Sequence, residues 1–435
     1  MTHLLSMIFV LGLLTGCSLT SDLGPYSAPE QPDTTLDLGD LPSDADTTSG
    51  DTDVPDTPPD ATDDLGPVPD VPEPCEEKWI TVIPAEEAAS VANLDALVTP
   101  DGVLWITYES VVADEPTVSV VRVNGTRVEP LRSANGVMDI YSPALAYVRA
   151  ELRWHWVTDE VSGGNIHTGS PSAVTDVPLF GSGAGHVVEA TPGRWPDREE
   201  PLFLWSQQGI GSEPELPRCG DAQANCMIIG NATKWTVIAD ALAEPPRHLV
   251  LSEHGDDTLA LWFDLGTGVI NLRRVAITDD GNIPGVEPRF LPSHTRAPHP
   301  SVLPVNGGWL VAYLSSTETV QTTVVPLEGD AADPVSDFAG YEGQRQPVVA
   351  AAFKFPRTLL FATTFELVVA QLDEAGRLVP GTDHPIGPLS NLSQNGLVAV
   401  RGAAGRELAV VVASSSGVRA GWLDSDLMLA CPPEL

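Results

Sequence analysis

Positive charge is what this chain is shortest of. Its 435 residues carry 22 Lys plus Arg against 60 Asp plus Glu, a formal charge of −38, and no Lys or Arg precedes Lys78. Phosphate contacts need clustered cations, so nucleic acid is excluded as a partner, as is adhesion to an anionic lipid surface by charge alone. Long apolar runs are lacking too: Leu4 to Leu14 is too short to cross a bilayer as a helix. No stretch keeps a helical period, which argues against a helical bundle. Nucleophile elbow, P-loop, Rossmann fingerprint and zinc-protease helix are all missing, and with them the enzyme classes they mark.

What stands at the start is a leader. The run Leu4 to Leu14 reads as the core of a signal peptide and is followed by Leu14-Thr15-Gly16-Cys17. That ending resembles the lipobox of bacterial lipoproteins, in which a small residue precedes a cysteine that is acylated and becomes the mature amino terminus. The resemblance covers residues 1–17, although the leader lacks the usual basic start. It implies a lipid anchor at Cys17, a membrane partner reached through that lipid, and a place in the bacterial cell envelope. Ser18 at the next position is compatible with the outer membrane.

Residues 18–74 contain 13 Asp, 2 Glu and 11 Pro. Such a segment neither buries a core nor escapes self-repulsion, so a disordered acidic linker is expected, with a reach on the order of 40 Å. Its piece Asp44 to Asp53 lacks the spacing of a calcium loop and reads as spacer. Five cysteines is an odd number. With Cys17 lipidated, the other four can pair locally as Cys219–Cys226 and end to end as Cys75–Cys431 in an oxidising compartment. No C-x-x-C pair or His at ligand spacing favours zinc instead, so no metal is assigned and no cofactor is implied.

From Cys75 onward, short alternating apolar runs recur between turn signals such as Pro100-Asp101-Gly102 and Asn306-Gly307-Gly308. The run Thr258 to Asp264 has six relatives, and the equivalent positions Tyr108, Trp156, Trp205, Trp262, Tyr313, Thr363 and Val411 lie 48 to 57 residues apart. Four strands of about six residues with four turns fill one such period. The long interval holds the Gly/Pro-rich insertion Gly211 to Cys226, placed between the second and third strands of the third repeat. Lys78 to Ile83 has no partner in the first repeat and is expected to close the last one, beside Leu427 to Ala430.

This pattern over residues 78–430 resembles the seven-bladed β-propellers. The repeated Gly-His and Trp-Asp pairs of the WD class and the Ser-x-Asp-x-Gly-x-Thr-Trp box of sialidases are absent. The expected fold is therefore all-β: a propeller of seven four-stranded antiparallel blades over residues 75–435, preceded by a signal peptide and the linker.

Candidate site residues gather where propeller loops approach the channel. His294 and His299 precede the innermost strand of the fifth repeat, and His248 and His254 flank that of the fourth. Imidazoles in turns are ordinarily solvated or capping residues, and the sharper alternative is a weak ligand site at one channel mouth, toward which these loops run. Trp105, Trp154, Trp156, Trp205 and Trp262 fall at packing positions; Trp195, Trp235 and Trp422 are less constrained, and Trp195 lies between Arg194 and Arg198 where a ligand can meet it. The expected function is a non-catalytic binding or scaffold propeller with a protein or glycan ligand. The alternative is a surface enzyme acting on an extracellular polymer such as a glycan, with its site at the channel mouth.

Overall fold

The computed structural model describes residues 78–135, 140–148, 151–158, 164–171, 177–178, 186–193, 202–209, 219, 224–231, 234–255, 257–276, 289–291, 299–338, 340–403 and 405–433. Cys17, the linker 18–74, Cys75, Trp195 and His294 lie outside the described residues.

The architecture is a seven-bladed β-propeller of antiparallel blades, each formed by strands consecutive in sequence. The exception is the initial strand, β1 (Trp79–Ile83), which joins the sheet of the last blade. Blade 1 holds β2 (Ala92–Val98), β3 (Leu104–Val112), β4 (Glu115–Asn124) and β5 (Arg127–Asn135); blade 2 holds β6 (Ile140–Val148), β7 (Glu151–Thr158), β8 (Asn165–Gly169) and β9 (Val177–Pro178). Blade 3 is β10 (His186–Pro192), β11 (Phe203–Gln208), β12 (Asn225–Gly230) and β13 (Trp235–Leu242); blade 4 is β14 (Arg247–His254), β15 (Asp257–Asp264), β16 (Val269–Ala276) and β17 (Arg289–Leu291). Blade 5 has β18 (Ser301–Val305), β19 (Gly308–Leu314) and β20 (Val320–Pro326), its fourth strand reduced to a bridge between Thr322 and Val335. Blade 6 runs β21 (Arg345–Ala350), β22 (Thr358–Ala362), β23 (Glu366–Gln371) and β24 (His384–Pro388), and blade 7 runs β25 (Leu392–Arg401), β26 (Leu408–Ser414), β27 (Gly417–Leu423) and β28 (Leu429–Ala430).

Successive side chains of a strand point to opposite faces, and the second strand of each blade uses both faces apolarly. In β15, Leu259, Leu261 and Phe263 meet Trp309, Val311 and Tyr313 of blade 5, while Ala260 and Trp262 meet Leu204, Met227 and Ile229 of blade 3. The same alternation produces seven apolar clusters, one between each pair of neighbouring blades, and the last joins blade 7 to blade 1. Trp154, Trp205, Trp262, Trp309 and Trp422 are fully buried in them. Trp422, whose sequence context constrains it little, is thus a core residue; Trp105 and Trp235 are half-buried against the same clusters.

One imidazole is built into this core. His155 of β7 is 2% exposed, lies edge-on to Phe203 at 5.0 Å, and has no hydrogen-bond partner at either ring nitrogen. Burial, helped by the Arg153 charge, holds its pKa down to about 3.

The ring closes as the spacing predicts. β1 pairs with β27 from Trp79↔Gly421 to Ile83↔Val418, and β28 continues along the same edge of β27 at Trp422 and Leu423. Gly421 is required there: a Cβ on it would lie 2.9 Å from the Trp79 ring. Cys219 and Cys226 form a disulfide, and the insertion it closes sits between β11 and β12. Cys431 is also disulfide-bonded, to a partner outside the described residues.

Candidate functional site

The innermost strands of the blades line a central channel of about 1510 Å³. An innermost strand has one edge without a neighbour, so its backbone groups must find other partners. Where these strands enter the ring, the ladder slips: the register shifts between Ala92 and Asp95, Tyr141 and Ala144, Val187 and Glu189, Arg247 and Val250, Arg345 and Val348, and Leu392 and Leu397. At these bulges, and just before β18, stand Asn93 (φ 49°), Ser142 (φ 52°), His248 (φ 53°), His299 (φ 41°), Gln346 (φ 42°) and Asn395 (φ 48°). All six are left-handed, a conformation that costs a non-glycine residue about 1–2 kcal/mol. Blade 3 alone departs, with Val188 at the equivalent place, since a β-branched residue is poorly suited to positive φ. Bulges of this kind re-aim side chains, and all seven positions line the channel.

Side chains of the ring hold the neighbouring blade. The Glu189 carboxylate of blade 3 accepts the backbone N–H groups of His248 (3.1 Å) and Leu249 (2.9 Å) in blade 4. Asp95 of blade 1 accepts Leu145 N–H of blade 2 at 2.8 Å. The Gln346 side chain of blade 6 donates to Ser393 O (3.2 Å) and accepts from Gly396 N–H (2.9 Å) of blade 7.

A second set of bonds crosses the channel. Asn93 Nδ2 donates to Glu109 Oε2 at 2.7 Å, Asn395 Nδ2 donates to Asn93 Oδ1 at 2.6 Å, and Asn395 Oδ1 lies 2.6 Å from His299 Nδ1. Asn93 and Asn395 each spend their amide N–H on the preceding member, which leaves the Asn395 oxygen toward His299: His299 Nδ1–H donates, and its Nε2 carries the lone pair. The His248 ring lies 4.8 Å from that of His299, inclined at 63°. Burial, with the Arg247 charge, pulls His248 down to about 4; burial and His248, against the Asn395 bond, pull His299 down to about 3. Both imidazoles are therefore neutral near neutral pH. Burial pushes the Glu189 carboxyl up, opposed by the Leu249 N–H, the Arg247 charge and the His248 N–H.

The sequence-predicted histidines do not all converge. His299 sits in the bulge ring, but His254 is at the far end of β14, edge-on to Trp309 at 5.8 Å. Seven residues of strand climb about 20 Å, so His248 and His254 face opposite mouths. The partner of His299 is His248. Glu189, Asn93, Gln346 and Asn395 were not singled out by sequence, although a polar residue followed by Pro or Gly recurs before the inner strands at Ser142-Pro143, His299-Pro300, Gln346-Pro347 and Asn395-Gly396. Among the described residues no group of three or more His, Cys, Asp or Glu is gathered as a metal site.

Antiparallel pairing puts the hairpins between second and third strands on the bulge-ring face, as His186↔Gln208 and Arg345↔Ala362 show. Cys226, opposite Gln207 at that end of blade 3, and its disulfide partner Cys219 are both buried. Val111, Val112, Leu265 and Phe365, four of the six large apolar side chains exposed among the described residues, belong to that face. Phe365 is 76% exposed, whereas Phe353, on the opposite face, carries the Arg401 guanidinium 3.9 Å above its ring.

The chain matches no family model and no curated protein by sequence. Among solved structures it is similar to the BP39L lectin from Burkholderia pseudomallei, at 15% identity and a TM-score of 0.52 over 79% of this chain and 98% of the lectin. It is also similar to the Hadza microbial sialidase Hz136, at 11% identity and a TM-score of 0.43 over 80% of this chain and 69% of that one. A prolyl endopeptidase matches at 11% identity and a TM-score of 0.47, over 80% of this chain and 49% of that one. The likeness is one of fold.

Proposed function

We propose that the protein is a lipid-anchored envelope component whose propeller recognises a protein or glycan partner on its bulge-ring face and carries out no reaction of its own. Cys17 supplies the anchor and residues 18–74 the tether. The observation that carries the reading is how the polar groups of the mouth are used. Glu189, Asp95 and Gln346 hold neighbouring blades, and Asn93 and Asn395 hold each other and His299. Hydrolysis of a glycan calls for two carboxyl groups free to act across a bond, whereas Glu189 and Asp95 accept backbone N–H groups and Glu109 accepts the Asn93 amide. The same face offers exposed apolar side chains, Phe365 the most exposed of them, a feature of a recognition surface. Affinity capture from envelope extracts together with a glycan-binding panel tests the reading: a saturable partner without turnover supports it. Acyl labelling that is lost in Cys17→Ser tests the anchor, and unchanged membrane retention of that variant speaks against it.

A surface enzyme acting on a polymer is the second reading, favoured by the convergence of His248 and His299 beside a channel of about 1510 Å³. Turnover of a polysaccharide by the purified protein, abolished in His299→Asn, establishes that reading and overturns the first.

A further inference from the structure

His248 and His299 meet edge-on, as packed rings do, and the hydrogen bond that orients His299 goes beyond packing. Their rings are carried to one mouth from two blades by left-handed backbone that each blade adopts at a cost. The His248 ring makes no hydrogen bond among the described residues. For His299 only Nδ1 is engaged, and the carboxylate-anchored series Glu109, Asn93, Asn395 holds that nitrogen as a donor. Its Nε2 is thus left as an oriented lone pair. An imidazole whose second nitrogen donates into a hydrogen-bonded carboxyl or amide is the usual setting of a metal-ligating histidine, because that bond sets the tautomer and raises ligand basicity.

The ring separation is that of two imidazoles sharing one ion. A metal bound at about 2.0–2.1 Å from an imidazole nitrogen lies roughly 3.2 Å from the ring centre, so two rings subtending 90–110° at the ion have centres about 4.5–5.2 Å apart. The observed separation is 4.8 Å, with the planes inclined at 63°.

We infer that His248 and His299 form a two-imidazole site for a divalent transition-metal ion of the copper and zinc class, with the remaining coordination positions facing the channel and open to water or ligand. Imidazole selects this class over calcium or magnesium, and Cu²⁺ is the tightest binder in the series. The inference goes beyond the reading of the preceding subsection, since a recognition module and an enzyme can each carry such an ion.

The test is a titration of the chelator-stripped full-length protein with Cu²⁺ alone, followed by calorimetry and electron paramagnetic resonance. One ion per chain with hyperfine structure from two nitrogens is expected. His248→Asn and His299→Asn, which keep a residue tolerant of positive φ, each lose the two-nitrogen signal at an unchanged melting temperature. Asn395→Ala weakens binding about 10-fold or more by releasing the His299 ring. Copper held by oxygen ligands alone, as the acidic segment would hold it, sinks the proposal. A two-nitrogen signal that survives both histidine substitutions, or no binding to the folded parent, does so equally.

Discussion

Two rings share this molecule and obey opposite rules. The outer one is the set of seven apolar clusters between blades, where the second strands alternate between two apolar faces and Trp154, Trp205, Trp262, Trp309 and Trp422 are dry. The inner one is the ring at a channel mouth, where the period breaks and, in every blade but the third, a polar residue stands on left-handed backbone. The outer ring is redundant, since seven similar interfaces share the load. The inner ring is varied: Asn, Ser, His and Gln serve at equivalent places in six blades, and two imidazoles, His248 and His299, meet. A propeller can therefore vary its mouth while its packing stays fixed.

The comparison is broken most severely at the seam, where the outer ring depends on the chain ends. With Cys75 as the partner of Cys431, the bond closes a loop of roughly 350 residues, and chain entropy assigns it about 5–6 kcal/mol. Cys431→Ser is expected to lower the denaturation midpoint of the whole propeller, and non-reducing peptide mapping to identify the pair. A parent-like melt removes the seam from the account. Within the ring, Trp262→Ala should cost about 3–5 kcal/mol in chemical denaturation, because the side chain is 1% exposed between blades 3 and 4.

His155 tests the dryness of the outer ring through pH. Its pKa is depressed to about 3 in the folded protein against about 6.5 unfolded, so below pH 6.5 the unfolded chain takes up a proton that the native one refuses. The stability it contributes is present above pH 6.5 and is lost as pH falls toward 3, amounting to about 3 kcal/mol between pH 6.5 and 4. Denaturation at a series of pH values should show that loss, and His155→Phe should flatten it. The smallest effect belongs to the inner ring: at Gln346 (φ 42°), Gln346→Gly should be more stable than Gln346→Ala by about 1 kcal/mol, since only glycine is at ease there. The reverse order at this position would mean that the bulge is not left-handed.

The same contrast governs what could be read without a structure. Alternation in Thr258 to Asp264 and its six relatives gave away blade number, period and the closing role of Lys78 to Ile83, because burial on both faces leaves a periodic trace. The mouth left little trace. A bulge adds one residue and shifts the register, so a polar residue at its crest looks like one more turn residue. His248 and His254 are near in sequence and are sent to opposite ends of β14, while His248 and His299, a blade apart, are brought to 4.8 Å. The Pro or Gly that follows Ser142, His299, Gln346 and Asn395 is the trace that remains, and it becomes legible once the period is known.

Recognition through the bulge-ring face is the central functional claim, and the two exposed phenylalanines of blade 6 test it within one blade. Phe365, between β22 and β23, stands on that face, and Phe353, between β21 and β22, stands on the opposite one. Partner capture from envelope extracts should be compared for the parent, Phe365→Glu and Phe353→Glu, each confirmed to melt like the parent. Phe365→Glu is expected to lose the partner and Phe353→Glu to retain it; loss through Phe353→Glu with Phe365→Glu unaffected would contradict recognition through the bulge-ring face.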